Sequence, residues 1–244
     1  MKKSVIIIAQ NEEKHIEKCI NSILEQTQKA DEIVLVTHNC TDKTIEIALR
    51  LCSESSTQKF PITVENFQGE AGTAYARMKG IENISGDIIL CIDGDSYAEK
   101  NWISGMVSLF QKDIVLIGSW VKLSGSIFNA VSNFFNKKSC IKANNATHWI
   151  WGPSFGFLGK DKEKIKDGFL KSIEISEKLK LSRNPDDYLL ALFMKRYGNL
   201  KVTNKTYVTA NMKERGFMNE LKRSIENIKN GNKINRFLKK IVVG

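Results

Sequence analysis

Proline is scarce in this chain, three residues in 244, which argues against long disordered linkers. Histidine is equally rare: His15, His38 and His148 are scattered, and none stands at zinc-ligand spacing from a cysteine or another histidine. That argues against metal-cluster chemistry. The five cysteines, Cys19, Cys40, Cys52, Cys91 and Cys140, form no Cys-x-x-Cys pair. Their odd number speaks against a disulfide framework and for a reducing cytosol. No apolar run approaches the length needed to cross a bilayer. Met1-Lys2-Lys3-Ser4 leads at once into Val5-Ile6-Ile7-Ile8, too short for a signal core and readable as a first strand. The sequence holds no internal repeat and no low-complexity tract.

What is abundant is positive charge. A net charge of +10 implies an anionic partner: nucleic acid, a phosphorylated substrate or a membrane surface. Much of the excess lies late, where Lys213 to Lys240 holds nine Lys or Arg against three Glu. In the same stretch Leu221, Ile225, Ile228, Ile234, Phe237, Leu238 and Ile241 recur at near-helical spacing. Two readings stand: helices packed on a domain with their bases in water, or a basic face on an anionic membrane. Clustered base-reading residues and interleaved aromatics are missing, so nucleic acid is not the expected partner.

The first hundred residues alternate strand and helix, which predicts a largely parallel sheet with helices on both faces. Val5 to Ile8 and Ile33 to Val36 read as buried strands, Ile62 to Val64 as a shorter one and Asp87 to Ile92 as a fourth. Asn11-Glu12-Glu13 offers a cap to a helix whose apolar face is Ile16, Cys19, Ile20, Ile23 and Leu24. Thr41-Asp42 caps the next, with Ile45, Ala48, Leu49 and Cys52 inward, and Gly69 to Ile84 reads as a small-residue helix. Further on, helices are expected around Trp102 to Phe110, over Ser126 to Phe135, and from Asp186 through Leu189, Leu190, Phe193, Met194 and Tyr197 to Gly198. Ile114 to Ile117 reads as another strand.

Asp93-Gly94-Asp95 ends the fourth strand. Two carboxylates one residue apart, where a buried strand runs out, suit a divalent cation that keeps free positions for phosphate oxygens. The carboxyl edge of an α/β sheet is also where a nucleotide is expected. A calcium loop of the EF-hand kind fails, because Ala98 and Ser104 hold its glycine and final glutamate positions.

Taken together, several separated segments resemble glycosyltransferase family 2, whose catalytic domain has the GT-A fold. They are Ile8-Ala9-Gln10-Asn11-Glu12, Asn39-Cys40-Thr41-Asp42-Lys43-Thr44, and Gly69, Gly72, Ala76-Arg77 and Gly80. Asp93-Gly94-Asp95 falls at the family's Asp-x-Asp, and Asp186-Asp187 with the later Gly198 at its acidic motif. The resemblance implies a catalytic domain over 1–210, with a nucleotide-sugar half over 1–100 and an acceptor half over 101–210, followed by a basic helical tail over 211–244.

It also implies roles. Asp95 would ligate Mn2+ or Mg2+, and Asp93 would reach the metal or the donor ribose; the cation would neutralise charge on the departing diphosphate. Ala9, Asn11, Glu12, His38, Arg77 and Gly94 would surround a nucleotide-diphosphate sugar. Asp187 would be the general base of an inverting transfer, its proton affinity raised by Asp186. Trp149, Trp151, Gly152 and Ser154 would face a glycan or lipid-linked acceptor. Departures accompany the likeness: Thr37-His38 stands where the family usually has an Asp pair, Met78 replaces the Asn of the Gly-rich helix, and the Gln-x-x-Arg-Trp element of polysaccharide synthases is missing. A single-sugar transferase in the cytosol is therefore expected, peripheral to the membrane only on the second reading of the tail, with a polyprenyl-phosphate sugar synthase as the rival. Gly152-Pro153-Ser154-Phe155-Gly156 also fits a hydrolase elbow, but every histidine precedes Ser154, contrary to the order that chemistry needs.

Overall fold

In the computed structural model the described residues are 1–55, 62–124, 133, 137, 150–211, 226 and 229–237. Among these residues eight strands form one mixed sheet in the order β3-β2-β1-β4-β7-β6-β8-β5. β1 (Lys3–Ala9) lies between β2 (Glu32–His38) and β4 (Ile88–Asp93), and β3 (Ile62–Phe67) pairs with β2; all three pairings are parallel. Ile8 stands level with both Val36 and Asp93, so the carboxyl ends of these strands finish in line.

The continuous apolar runs are explained by burial on both faces. Val5, Ile7, Leu35 and Leu90 point into one core layer with α1 (Ile16–Leu24), α2 (Thr44–Ser55) and α4 (Trp102–Val107). Ile6, Val34 and Ile89 point into the other, with α3 (Thr73–Glu82), α5 (Lys162–Lys178) and α6 (Asp186–Met194). Each such side chain stabilises the fold by about 1.5–3 kcal/mol relative to an exposed one.

The second half of the sheet is mixed. β7 (Phe155–Leu158) is antiparallel to both β4 and β6 (Ile114–Ser124). β8 (Asn199–Asn211) runs parallel to β6, and β5 (Ser96–Ala98) pairs antiparallel with β8 at the edge. The expected strand over Ile114 to Ile117 is therefore only the first part of a longer one.

Several local expectations need correction. Leu49 is 53% exposed, and Leu51 takes the inward position on α2. α3 starts at Thr73, because Gly72 holds φ 138°, outside the helical region. Asn11 does not cap α1, which starts at Ile16; at φ 57° it turns its Oδ1 to the Thr41 amide, 2.7 Å away. Tyr197 lies beyond α6 and is 42% exposed. The helix expected over Ser126 to Phe135 falls almost wholly outside the described residues, as do Cys140, Trp149 and most of the basic tail. Among the described residues no helix is long and apolar enough to cross a membrane.

Candidate active site

The line of strand ends opens into a cavity of about 820 Å³. Ala9 and His38 reach it from the ends of β1 and β2, Glu12 from the loop after β1, and Asp93-Gly94-Asp95 from the end of β4. Arg77 of α3, Trp151 and Gly152 before β7, and Asp186 and Asp187 at the start of α6 complete this set.

Gly94 lets the acidic turn fold over β1. Its amide donates to the Ile8 carbonyl at 2.8 Å, and a Cβ there would lie 2.9 Å from the Ala9 Cβ. Asp95 is braced on two sides: the Ser96 hydroxyl donates to its Oδ1 at 3.0 Å, and the Asn211 amide to its carbonyl at 3.1 Å.

Arg77 is no surface residue; it is 2% exposed and ties the site together. Nη2 donates to Asp93 Oδ1 at 2.9 Å and to the Gly152 carbonyl at 3.1 Å, and Nη1 to Asp186 Oδ2 at 2.5 Å. The Thr73 hydroxyl adds a 2.9 Å bond to the same Asp186 oxygen. Asp187 is held separately, its Oδ2 accepting from the Gly152 amide at 3.0 Å and its Oδ1 from the Tyr188 amide at 2.7 Å. Gly152 thus touches both partners, and a Cβ on it would lie 3.0 Å from Arg77 Nη2 and 3.4 Å from Asp187 Oδ2.

The electrostatics follow from crowding. Burial pushes Asp93 up to about 6; Arg77 opposes that shift, and the Asp95 and Asp186 carboxylates reinforce it. Burial also raises Asp187, with Asp186 adding to the effect and Arg77 and the two amides opposing it. Burial lowers His38, whose ring stacks on Phe67 at 5.0 Å and whose buried Nε2 has no hydrogen-bond partner. Among the described residues lining the cavity, five carboxylates (Glu12, Asp93, Asp95, Asp186 and Asp187) face two guanidinium groups, Arg77 and Arg183.

Two of the expected site residues are not brought to the wall. Asn11 is exposed and holds the neighbouring loop. Ser154 is fully buried, its hydroxyl accepting from Trp102 Nε1 at 2.9 Å and bonding the Ser119 hydroxyl at 2.6 Å. Trp149 lies outside the described residues. Sequence reasoning missed Val121, Leu123, Arg183, Tyr188, Gly231 and Ile234, which also line the cavity. Period-two alternation along β6 was a signal for Val121 and Leu123; nothing local marks the others.

A parallel half-sheet ending in an acidic turn, continued by mixed strands that carry the opposite wall, defines a GT-A fold. In that fold the chain is similar to the mannosyltransferase PcManGT from Pyrobaculum calidifontis in complex with GDP-Man and Mn2+, with a TM-score of 0.62 and 18% identity over 88% of this chain and 58% of that one. It is likewise similar to S. aureus TarS 1-349 in complex with UDP-GlcNAc, with a TM-score of 0.57 and 20% identity over 89% of this chain and 60% of that one. The sequence family described as glycosyl transferase family 2 matches residues 4–169, and the chain belongs to it. Curated relatives include the glycosyltransferase GlyA of Streptococcus pneumoniae, 32% identical over 51% of this chain and 18% of the relative. The glycosyltransferase AglE of Haloferax volcanii is 29% identical over 59% of this chain and 49% of the relative. The chain thus spans half or less of the length of these two relatives.

Proposed function

We propose that this chain is a metal-dependent, inverting glycosyltransferase that moves one sugar from a nucleotide-diphosphate donor to an acceptor hydroxyl. The observation that carries this is the charge of the cavity. With five carboxylates against two guanidinium groups, it would repel a diphosphate unless a cation came with it. The residues fit such a cation: Asp95 and Asp93 would hold Mn2+ or Mg2+, hard ions that take one or two carboxylates and leave positions to phosphate and water. Among the described residues no cluster of three ligating side chains stands ready to enclose the ion, in keeping with ligands supplied by the donor. When bound, the metal supplies Lewis-acid stabilisation of the leaving diphosphate.

The chain's own residues do the rest. Ala9, Glu12 and Gly94 border the donor, and the unpaired His38 Nε2 is the group best suited to the nucleobase. Asp187 receives the proton of the attacking hydroxyl; burial and Asp186 raise its proton affinity, and the Gly152 amide fixes its direction. Arg77 acts as a positioning residue, spanning Asp93 at the donor end and Asp186 beside the base. Trp151 offers a flat apolar face to a sugar. On this reading 1–100 serves the donor and 101–210 the acceptor. The exposed Lys229, Lys233 and Arg236 of the tail give it a basic face for the cytoplasmic side of an anionic membrane.

A thermal-shift screen with UDP- and GDP-sugars, each with and without Mn2+, tests the proposal. Stabilisation by one donor only when Mn2+ is present, and its loss in Asp95→Ala, are the expected results. Equal stabilisation in that variant would remove the metal assignment.

A further inference from the structure

The C-terminal segment builds part of the cavity wall. Residues 229–237 form a helix, α7, whose fully buried Ile234 lines the cavity together with Gly231. Among the described residues its ties reach the end of α5, where Lys178 Nζ lies over the Phe237 ring, the segment leading into α6, and α6 itself. Asn230 Nδ2 donates to Ser182 Oγ at 3.4 Å and to the Arg183 carbonyl at 3.5 Å. The Tyr188 hydroxyl donates to Asn235 Oδ1 at 3.2 Å, and Lys233 Nζ to the Lys180 carbonyl at 3.4 Å. Since Arg183 precedes the acidic pair and Tyr188 follows it, α7 stands over the Asp187 end of the cavity.

Glycine inside a helix is unfavourable, because it surrenders more backbone entropy than any other residue. Among the described residues three helical glycines besides Gly231 have a packing reason. A Cβ on Gly80 would meet Ile6 Cγ2 at 2.5 Å, one on Gly168 would meet Leu190 Cδ1 at 2.6 Å, and one on Gly105 would meet Thr206 Cγ2 at 2.7 Å. Gly231 has no such reason: among the described atoms a Cβ there meets nothing within 4 Å, and the residue lines the cavity. The side chain is missing where the described atoms leave room.

We propose that Gly231 is a specificity-determining residue, and that the room above it receives the acceptor beside Asp187. Acceptor choice is then set by α7, which lies outside the family match over 4–169. This rests on the reading of Asp187 as the base at the acceptor end.

The test uses the full chain, the Mn2+–nucleotide sugar that stabilises it most, and the glycosides it accepts from a panel of p-nitrophenyl and octyl monosaccharides. Gly231→Leu should lower transfer by about tenfold or more, through the acceptor KM, while nucleotide affinity stays within about twofold. Gly231→Ala is helix-compatible and guards against misfolding: its melting temperature should rise, with a smaller increase in acceptor KM. Unchanged acceptor kinetics in both variants, or an equal loss of nucleotide affinity in Gly231→Leu, would overturn the inference. Should nucleotide and Mn2+ fail to bind the wild-type protein, the proposed function itself falls. If they bind, and Asp187→Asn abolishes transfer while Gly231→Leu transfers normally, only the role of Gly231 falls.

Discussion

Asp186 and Asp187 are adjacent in the chain, yet their carboxylates serve different partners. Asp186 is buried and committed to α3, through Arg77 at 2.5 Å and Thr73 at 2.9 Å. Asp187 is half-buried and, among the described residues, its carboxylate is held by backbone amides alone, those of Gly152 and Tyr188. One carboxylate anchors the helix and the other is left to face the cavity, and the resulting predictions separate the two.

Replacing Arg77 by Met should destabilise the fold by about 3–5 kcal/mol at neutral pH, because the buried Asp186 charge loses its partner. Asp186→Asn placed on Arg77→Met should recover part of the loss, since Thr73 can still donate to its oxygen. Urea melts of the three proteins at neutral pH measure this; a deficit that the second substitution leaves untouched would refute the buried-pair account.

Asp187→Asn should leave stability and nucleotide affinity near wild type and lower kcat by about 10²–10⁴, the usual worth of a general base. A base must be deprotonated to act. Because burial and Asp186 raise its proton affinity, the acid limb of the kcat/KM profile should lie above the ordinary carboxylate range and vanish in the variant. Retained transfer would point instead to an acceptor that needs no base, such as a lipid phosphate.

Gly152→Ala tests whether the two halves share a support. Its Cβ would sit 3.0 Å from Arg77 Nη2 and 3.4 Å from Asp187 Oδ2, tight enough to displace one of them at a cost of about 1–3 kcal/mol. Transfer should fall more than nucleotide binding does, measured by steady-state kinetics beside calorimetry with a nucleoside diphosphate and Mn2+. Parallel loss of both would place Gly152 at the donor end.

What the sequence made legible was what local pattern controls. β1, β2 and β4 are continuous apolar runs because both faces are buried, and the acidic turn after β4 follows from its position at a strand end. The four-residue β7 has too few positions to show a period. β8 skips register opposite Ser119 and Trp120, passing from Thr203 to Tyr207, so its alternation breaks midway. Most residues named from the sequence line the cavity, but their pairing was not legible: Arg77 and Asp186 are 109 positions apart, and nothing near either residue names the other. Ser154 was misread for the same reason, its hydroxyl being taken up by Trp102, 52 positions away.

Asp93 gives the last prediction, a dependence on pH with two opposite signs. With its affinity for a proton raised to about 6, the folded metal-free protein keeps a proton that the unfolded chain has already released. Stability from this group is complete below the ordinary carboxylate value of about 3.9 and is lost as pH rises toward 6, by about 3 kcal/mol at most. Cation binding runs the other way, because Mn2+ competes with that proton and should bind more tightly as pH rises through 6. Melting curves at pH 4.5 and 7 with and without Mn2+ should therefore cross over, the ion stabilising strongly only at the higher pH. In Asp93→Asn both trends should flatten, and a pH-independent effect of Mn2+ on the wild-type protein would place the ion away from the acidic turn.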